Sequence, residues 1–130
     1  MIEIRNLTRS KIQTALLKKT AERILKREGK AHLDVSVALL GAKRAQELNR
    51  IYRGKNYPAN VLSFPEKELG LGEIVLCPFV IRKDALEYKI SFKRAVCWMF
   101  VHGLLHLLGY DHKTSNDEKK MTQKEQQYLS

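Results

Sequence analysis

One segment constrains this chain more than any other. Ala95 to Tyr110 is a run of sixteen residues without a single charged side chain, in a protein that is 29% Asp, Glu, Lys and Arg. The run holds Trp98, Met99 and Phe100, then five leucine or valine positions. A helix that crosses a membrane needs about 20 predominantly apolar residues. This segment is shorter and carries two histidines, so the expectation is a buried central helix that Gly109 ends. A helix that is apolar all round must be covered on every side, and the rest of the chain has to supply that cover.

The cover is legible as strands and amphipathic helices. Ile2 and Ile4 alternate with Glu3 and Arg5, which predicts a short edge strand. Ile12, Leu16, Leu17, Ala21, Ile24 and Leu25 recur at helical spacing, predicting a helix over about 10–28 that Gly29 stops. Leu33, Val35, Val37 and Leu39 alternate with Asp34, Ser36 and Ala38 in a half-buried strand over about 32–40. A short helix over about 43–52 follows, then a loop from Arg53 to Pro58. The next strand is Val61 to Phe64, which Pro65 ends; Gly70 and Gly72 bracket a turn before a strand over 73–77. A short helix fits 79–88, and Ser115 to Glu118 has capping-box spacing for a helix over about 116–128. Strands interleaved with helices predict an α/β or α+β fold. Its small mixed sheet packs against helices, and the buried apolar helix lies against it.

The chain has 130 residues, the length of one domain, so residues 1–130 are read as a single unit. An apolar fraction of 44% beside that charge excludes a disordered tail and a membrane protein. Cys77 and Cys97 are the two cysteines and form no CxxC pair. Their pattern argues against a disulfide-framed secreted module and suits a reducing cytosol. The start, MIEIRNLTRSK, lacks an apolar signal-peptide core, so a cytoplasmic location is expected. Net charge is +10, unevenly placed: residues 1–60 hold 14 Lys+Arg against 5 Asp+Glu, and residues 61–130 hold 10 against 9. Basic residues are densest from Arg9 to Lys30. That asymmetry favours a polyanion partner, nucleic acid before an anionic membrane, because no segment joins a basic face to exposed Trp or Phe anchors.

Chemistry concentrates in the uncharged helix and the residues after it. His102 and His106 are one helical turn apart, so both imidazoles leave the same face at metal-chelating distance. A left-handed Gly109 turns the chain back and offers His112 as a third nitrogen. This is the extended zincin spacing, with Gly103 where the peptidases carry their glutamate. Three imidazoles hold one zinc ion and leave a tetrahedral position open for water, a catalytic arrangement; nickel, copper or iron also suit them. Glycine cannot take a proton, so ordinary peptide hydrolysis loses its general base. A phosphodiester asks for less such help, because a metal and an arginine can stabilise charge on phosphoryl oxygens. A basic protein with this site therefore points to a nuclease. Two other readings stand beside it: a zinc peptidase-like or other metal-dependent hydrolase, and an RNA- or ribosome-binding factor with a structural metal.

The run HGLLHLLGYDH (His102 to His112), preceded by LNRIYRGKNYPANVLSFP (Leu48 to Pro65) and LGEIVLC (Leu71 to Cys77), resembles the YbeY-type metallo-endoribonucleases. The likeness runs from about Leu33 onward, with the blocks in the family's order. It implies a zinc-dependent endoribonuclease specific for single-stranded RNA. It also implies a role in processing ribosomal RNA, notably the 3′ end of 16S rRNA, and in ribosome quality control, with no DNA or membrane partner. His102, His106 and His112 match the family's metal ligands, and Arg53 in YRGK matches its functionally important arginine. Ala59 departs from the pattern where many members have threonine, so any contact made by that hydroxyl is absent.

Other residues leave alternatives open. Arg53 is either a planar fork of donors that clamps a phosphate or an ordinary surface arginine. Asp111 either orients a histidine ligand or caps the turn. Ser63 and Phe64 line a cleft or belong to a core strand. Tyr110 packs under the turn, His32 is structural, and both cysteines are small buried hydrophobes. No pair of Asp or Glu clusters beside the motif, which weighs against a two-metal site.

Overall fold

The period-two stretches become a mixed sheet, and the apolar run becomes the helix laid across it. The computed structural model describes residues 1–66, 68 and 70–129. In chain order the elements are β1 (Ile2–Asn6), α1 (Thr14–Arg27), β2 (Asp34–Leu39), α2 (Ala42–Arg53), β3 (Val61–Pro65), β4 (Gly70–Leu76), α3 (Pro78–Tyr88), α4 (Phe92–Leu107) and α5 (Ser115–Leu129). The strands lie in the order β1-β2-β4-β3. β1, β2 and β4 run parallel, and β3 is antiparallel to β4. This is one small α+β domain, with β1 at an edge as its short alternating sequence requires.

Alternation assigns the two faces. Val35, Val37 and Leu39 of β2, with Ile74 and Leu76 of β4, point into the main core, where side chains of α1, α3, α4 and α5 meet them. Leu62 and Val75 point the other way, into a smaller cluster with Leu40, Phe64 and Leu48 of α2. α4 lies against β3 and β4 and is flanked by α3 and α5. Its Phe100, Val101, Leu104 and Leu105 are wholly buried. Each such side chain contributes about 1.5–3 kcal/mol, so this helix is the most firmly held element near the histidines. No helix among the described residues is long and apolar enough to cross a membrane.

Several boundaries differ from the expectation, each for a local reason. α1 starts at Thr14 instead of near residue 10, because side chains lock residues 6–10 into a turn. Asn6 Oδ1 accepts from the Thr8 N–H and hydroxyl, Thr8 Oγ1 accepts from the Ser10 N–H, and the Asn6 amide donates to the Ser10 carbonyl. α4 starts three residues early because the Ser91 hydroxyl accepts from the Arg94 N–H, so charged Lys93 and Arg94 sit on its exposed first turn. For α5 the cap is Thr114 and not Ser115: its hydroxyl accepts from the Asp117 N–H and its carbonyl from the Glu118 N–H. Gly70 and Gly72 do not bracket a turn; both lie in β4. Gly72 sits where the β2–β4 register shifts, with φ +145°, and a Cβ there would run into the Phe64 carbonyl and the Leu107 side chain.

Cys77 is buried as expected, Cys97 only partly, and both are free thiols. Burial pushes both thiols up from their ordinary value. His32 is exposed in the turn before β2. Lys18, Lys19 and Lys26 are exposed on α1, while Arg23 donates to the Tyr128 carbonyl at 2.6 Å and ties α1 to the end of α5.

Candidate metal centre

The three histidines meet because a buried helix and a tight turn aim them at one point. His102 and His106 are half-buried on α4, with ring centroids 4.6 Å apart and Nε2 atoms 3.1 Å apart. Two nitrogens sharing a tetrahedral zinc at about 2.0–2.1 Å stand roughly 3.3 Å apart, so this pair is close to ligand geometry. Gly109, at φ +100°, reverses the chain: its N–H donates to the His106 carbonyl and the Tyr110 N–H to the Leu105 carbonyl. That turn brings His112 to 5.1 Å from His106 and 5.9 Å from His102 between ring centroids. One ligand nitrogen from each ring lies within 4.8 Å of the others, a set that could hold a metal ion. It is the one such His, Cys, Asp or Glu group found among the described residues. Burial, then the charges of His102 and His112, hold the His106 imidazole below its ordinary value, in the neutral form a ligand needs.

Each support comes from a different part of the fold. Glu125 of α5 lies 2.6 Å from His102 Nδ1, and its second oxygen accepts from the Trp98 indole at 3.2 Å. A carboxylate there keeps the proton on Nδ1 and leaves Nε2 with its lone pair toward the other imidazoles. Burial raises the Glu125 carboxyl, but the His102 and Trp98 hydrogen bonds outweigh it and hold the group below its ordinary value. On the loop, the Tyr110 hydroxyl donates to Glu28 Oε1 at 2.6 Å. Glu28, at the C-terminal end of α1, also accepts from Tyr128 at 2.6 Å and from Lys124 at 3.1 Å. Burial raises the Glu28 carboxyl, and these three donors together bring it below its ordinary value. Burial and then the Glu28 carboxylate push the Tyr128 phenol up to about 12. Tyr110 therefore packs under the turn, as expected. Asp111 accepts from the Lys113 N–H at 3.3 Å, the capping role of its two readings.

Gly103 has a positive reason to be glycine. A Cβ at this position would stand 2.9 Å from Val61 Cγ2, 3.1 Å from Ser63 Oγ and 3.2 Å from Ile74 Cγ2. Ser63 donates to the Gly103 carbonyl at 2.9 Å, which clamps edge strand β3 onto α4. The position that carries glutamate in zinc peptidases faces the sheet here. Ser63 is thus a strand residue bonded to the helix, and Phe64 packs on the opposite face against Tyr52 at 5.1 Å.

Arg53 does not lie in the loop: it is the last residue of α2, whose next residue, Gly54, takes the left-handed cap. Its side chain is exposed and is not among those lining the cleft beside the histidines. The loop after it is pinned by buried Asn49, whose amide donates to the Tyr57 carbonyl at 2.8 Å, and it leads into the cleft at Asn60. That cleft, about 420 Å³, runs from His102 and His112 between α3, α4 and α5. A single carboxylate, Glu125 of α5, meets the histidines, and no Asp or Glu joins the metal-capable group among the described residues. Reading along the chain misses Glu125, Glu28 and Asn49. Their separation from their partners hides them: Glu125 is 23 residues from His102, and Glu28 is 82 from Tyr110.

A family model described as Endoribonuclease YbeY matches residues 3–130. The chain belongs to the YbeY family. A Chlorobium luteolum protein named endoribonuclease YbeY is 32% identical over 130 residues, covering 98% of this chain and 95% of that one. The Thermotoga neapolitana protein of the same name is 34% identical, covering 99% of this chain and 87% of that one. Its Bdellovibrio bacteriovorus counterpart is 43% identical over 98 residues, where the match spans 75% of this chain and 65% of that protein, just under two thirds of its length. The solution structure of a Thermotoga maritima protein superposes with a TM-score of 0.75 at 33% identity, over 99% of this chain and 87% of that one. The YbeY resemblance read from the histidine run is thus confirmed, and so is the α+β fold expected with it.

Proposed function

We propose that this YbeY-family chain is a metal-dependent endoribonuclease that cuts single-stranded RNA. Its cellular work is maturation of the 3′ end of 16S rRNA and ribosome quality control in the cytoplasm. The observation that carries the reading is the convergence of His102, His106 and His112, with Glu125 on the outer nitrogen of His102. The names of the relatives supply the RNA substrate. The excess of Lys and Arg in residues 1–60 supports a polyanionic partner.

The donor set fits one zinc ion: three imidazoles, one of them oriented by a carboxylate, with room for a fourth ligand. When bound, such an ion supplies Lewis acidity toward phosphoryl oxygens and acidifies water. The protein's own groups do the rest. Glu125 holds the proton at His102 Nδ1 and fixes the ring. Tyr110 and Glu28 hold the loop of His112. Arg53, exposed at the end of α2, offers its planar fork to the phosphate backbone and stabilises charge growing on the phosphoryl group.

Purified protein incubated with single-stranded and duplex rRNA fragments, with and without chelator, tests the reading when metal content is measured on the same sample. Cleavage confined to single strands and lost with the metal is expected; chelator-resistant cleavage, or cleavage of a peptide panel instead, sinks it. Arg53→Ala should keep fold, metal and most RNA affinity while cleavage falls by about 10²–10³, the usual loss for a preorganised donor. Arg53→Lys should not restore it.

A further inference from the structure

We infer that the cleft beside the three imidazoles is a nucleobase subsite that favours guanine, an inference that rests on the ribonuclease reading. At about 420 Å³ the cleft falls within the size range of small-ligand sites. Its wall chemistry decides what enters. The chain has 24 Lys+Arg against 14 Asp+Glu, yet among the described residues no Lys or Arg lines this cleft, while Asp84, Glu118 and Glu125 do. A phosphate is repelled from such a space and stays at the histidine end. A flat, uncharged ring with N–H donors is accepted.

The apolar part of the wall suits a ring as well. Trp98 and Tyr88 meet edge to face at 5.3 Å and both line the cleft. Stacking on such side chains holds a single-stranded base by about 1–3 kcal/mol whatever its identity, so selectivity has to come from the carboxylates. Both oxygens of Glu125 are engaged, by His102 and Trp98. Asp84, from α3, uses Oδ2 to accept from the Asn60 amide at 3.0 Å, which leaves Oδ1 for a ligand. Glu118, from α5, is exposed at the same cleft. Guanine presents N1–H and N2–H₂ side by side, a donor pair that Glu118 can accept in bidentate fashion, with Asp84 Oδ1 left to accept the second N2–H. Adenine and cytosine offer one amino group each. Uracil offers one N–H between two carbonyls, which a carboxylate repels. The expected order is guanine first and uracil last.

Trp98 is the single tryptophan of the chain and lines the cleft, so its fluorescence reports occupancy without any reaction. The full-length protein is titrated with guanosine, adenosine, cytidine and uridine, nucleosides that carry no phosphate to engage the histidine end. Guanosine should perturb Trp98 at a concentration at least about ten-fold below uridine, and Asp84→Asn and Glu118→Gln should each weaken guanosine by about ten-fold, the loss expected of a hydrogen bond to a charged group. Uridine should bind no more weakly after either change, since each removes a carboxylate that repels its carbonyls. Glu118 is exposed, so Glu118→Gln keeps the test decisive if Asp84→Asn fails to fold. Equal binding of guanosine and uridine overturns the inference, as do variants that bind guanosine like wild type or a site that spermidine fills in place of every nucleoside. Cleavage of random-sequence RNA separates the two readings. Chelator-sensitive cutting with no guanosine preference near the cut defeats the subsite alone, whereas guanosine binding without cleavage of any RNA defeats the ribonuclease reading alone.

Discussion

His106 and His112 serve one site from opposite kinds of support. His106 stands on α4, between wholly buried Leu104 and Leu105 and nearly buried Leu107, and it cannot move unless the core does. His112 is exposed, three residues past a left-handed glycine, on a loop held from below by the Tyr110–Glu28 hydrogen bond. A helix-borne ligand is placed by apolar packing, which is strong and insensitive to pH. A loop-borne ligand is placed by polar contacts, each worth about 1–3 kcal/mol and open to titration. Substitutions in the apolar packing of α4 should therefore cost stability at every pH, and those in the polar supports should cost stability that depends on pH, or metal affinity.

The largest effect is expected at Gly103. Gly103→Glu should not reach a cooperatively folded state, because its first side-chain atom already meets Val61, Ser63 and Ile74 at the sheet. Gly103→Ala should lose about 1–3 kcal/mol in urea unfolding, the usual cost of overpacking. If Gly103→Glu folds normally, α4 is not as tightly seated as its contacts require, and the contrast with the loop fails.

Next comes Glu28, the anchor of the loop. Glu28→Gln should lose about 2–3 kcal/mol, since three donors lose a charged acceptor. The carboxyl is held below its ordinary value of 4.5, so its contribution is complete above that pH and is lost as acid protonates it in the folded state. Wild-type stability should fall below about pH 4.5, and Glu28→Gln should flatten that fall; parallel pH profiles would show that Glu28 is not the titrating anchor.

Glu125→Gln sharpens the comparison on the helix side. It should cost less stability than Glu28→Gln, since two groups and not three lose a charged acceptor, while weakening metal binding about 10–100-fold in a chelator competition, the typical cost of losing a ligand's outer hydrogen-bond partner. Unchanged metal affinity would mean that α4 packing alone orients His102. The smallest effect is expected at Gly109. A Cβ there meets nothing within 4 Å, so Gly109→Ala carries only the backbone cost of φ +100°, about 1–2 kcal/mol. A much larger loss would reveal a packing role for the turn.

The same contrast explains what was legible in the chain. The i, i+4 histidines on an uncharged run, the glycine turn and the strand alternation are short-range patterns, and the sheet, the helix and the three imidazoles appear where those patterns place them. The sequence places Arg53 in the loop that precedes Pro58, yet the left-handed cap at Gly54 lets α2 run through Arg53 itself. Residues 10–13 carry helical spacing, but the Asn6–Thr8–Ser10 side-chain bonds compete successfully for that backbone.

Local pattern is enough for the secondary elements, the α+β class, and the residues whose spacing within two or three turns makes a ligand set. Period and capping are local energies, written in neighbouring residues, and they need no knowledge of the rest of the fold. Packing between elements is what sets Glu125 behind His102, Glu28 under the loop of His112, and Gly103 against β3 and β4. These pairings join α4 to α5, the turn to α1, and the helix to the sheet. Such contacts follow from how faces of separate elements pack, and sequence separation carries no signal of which polar side chain a packed face will bring to meet another.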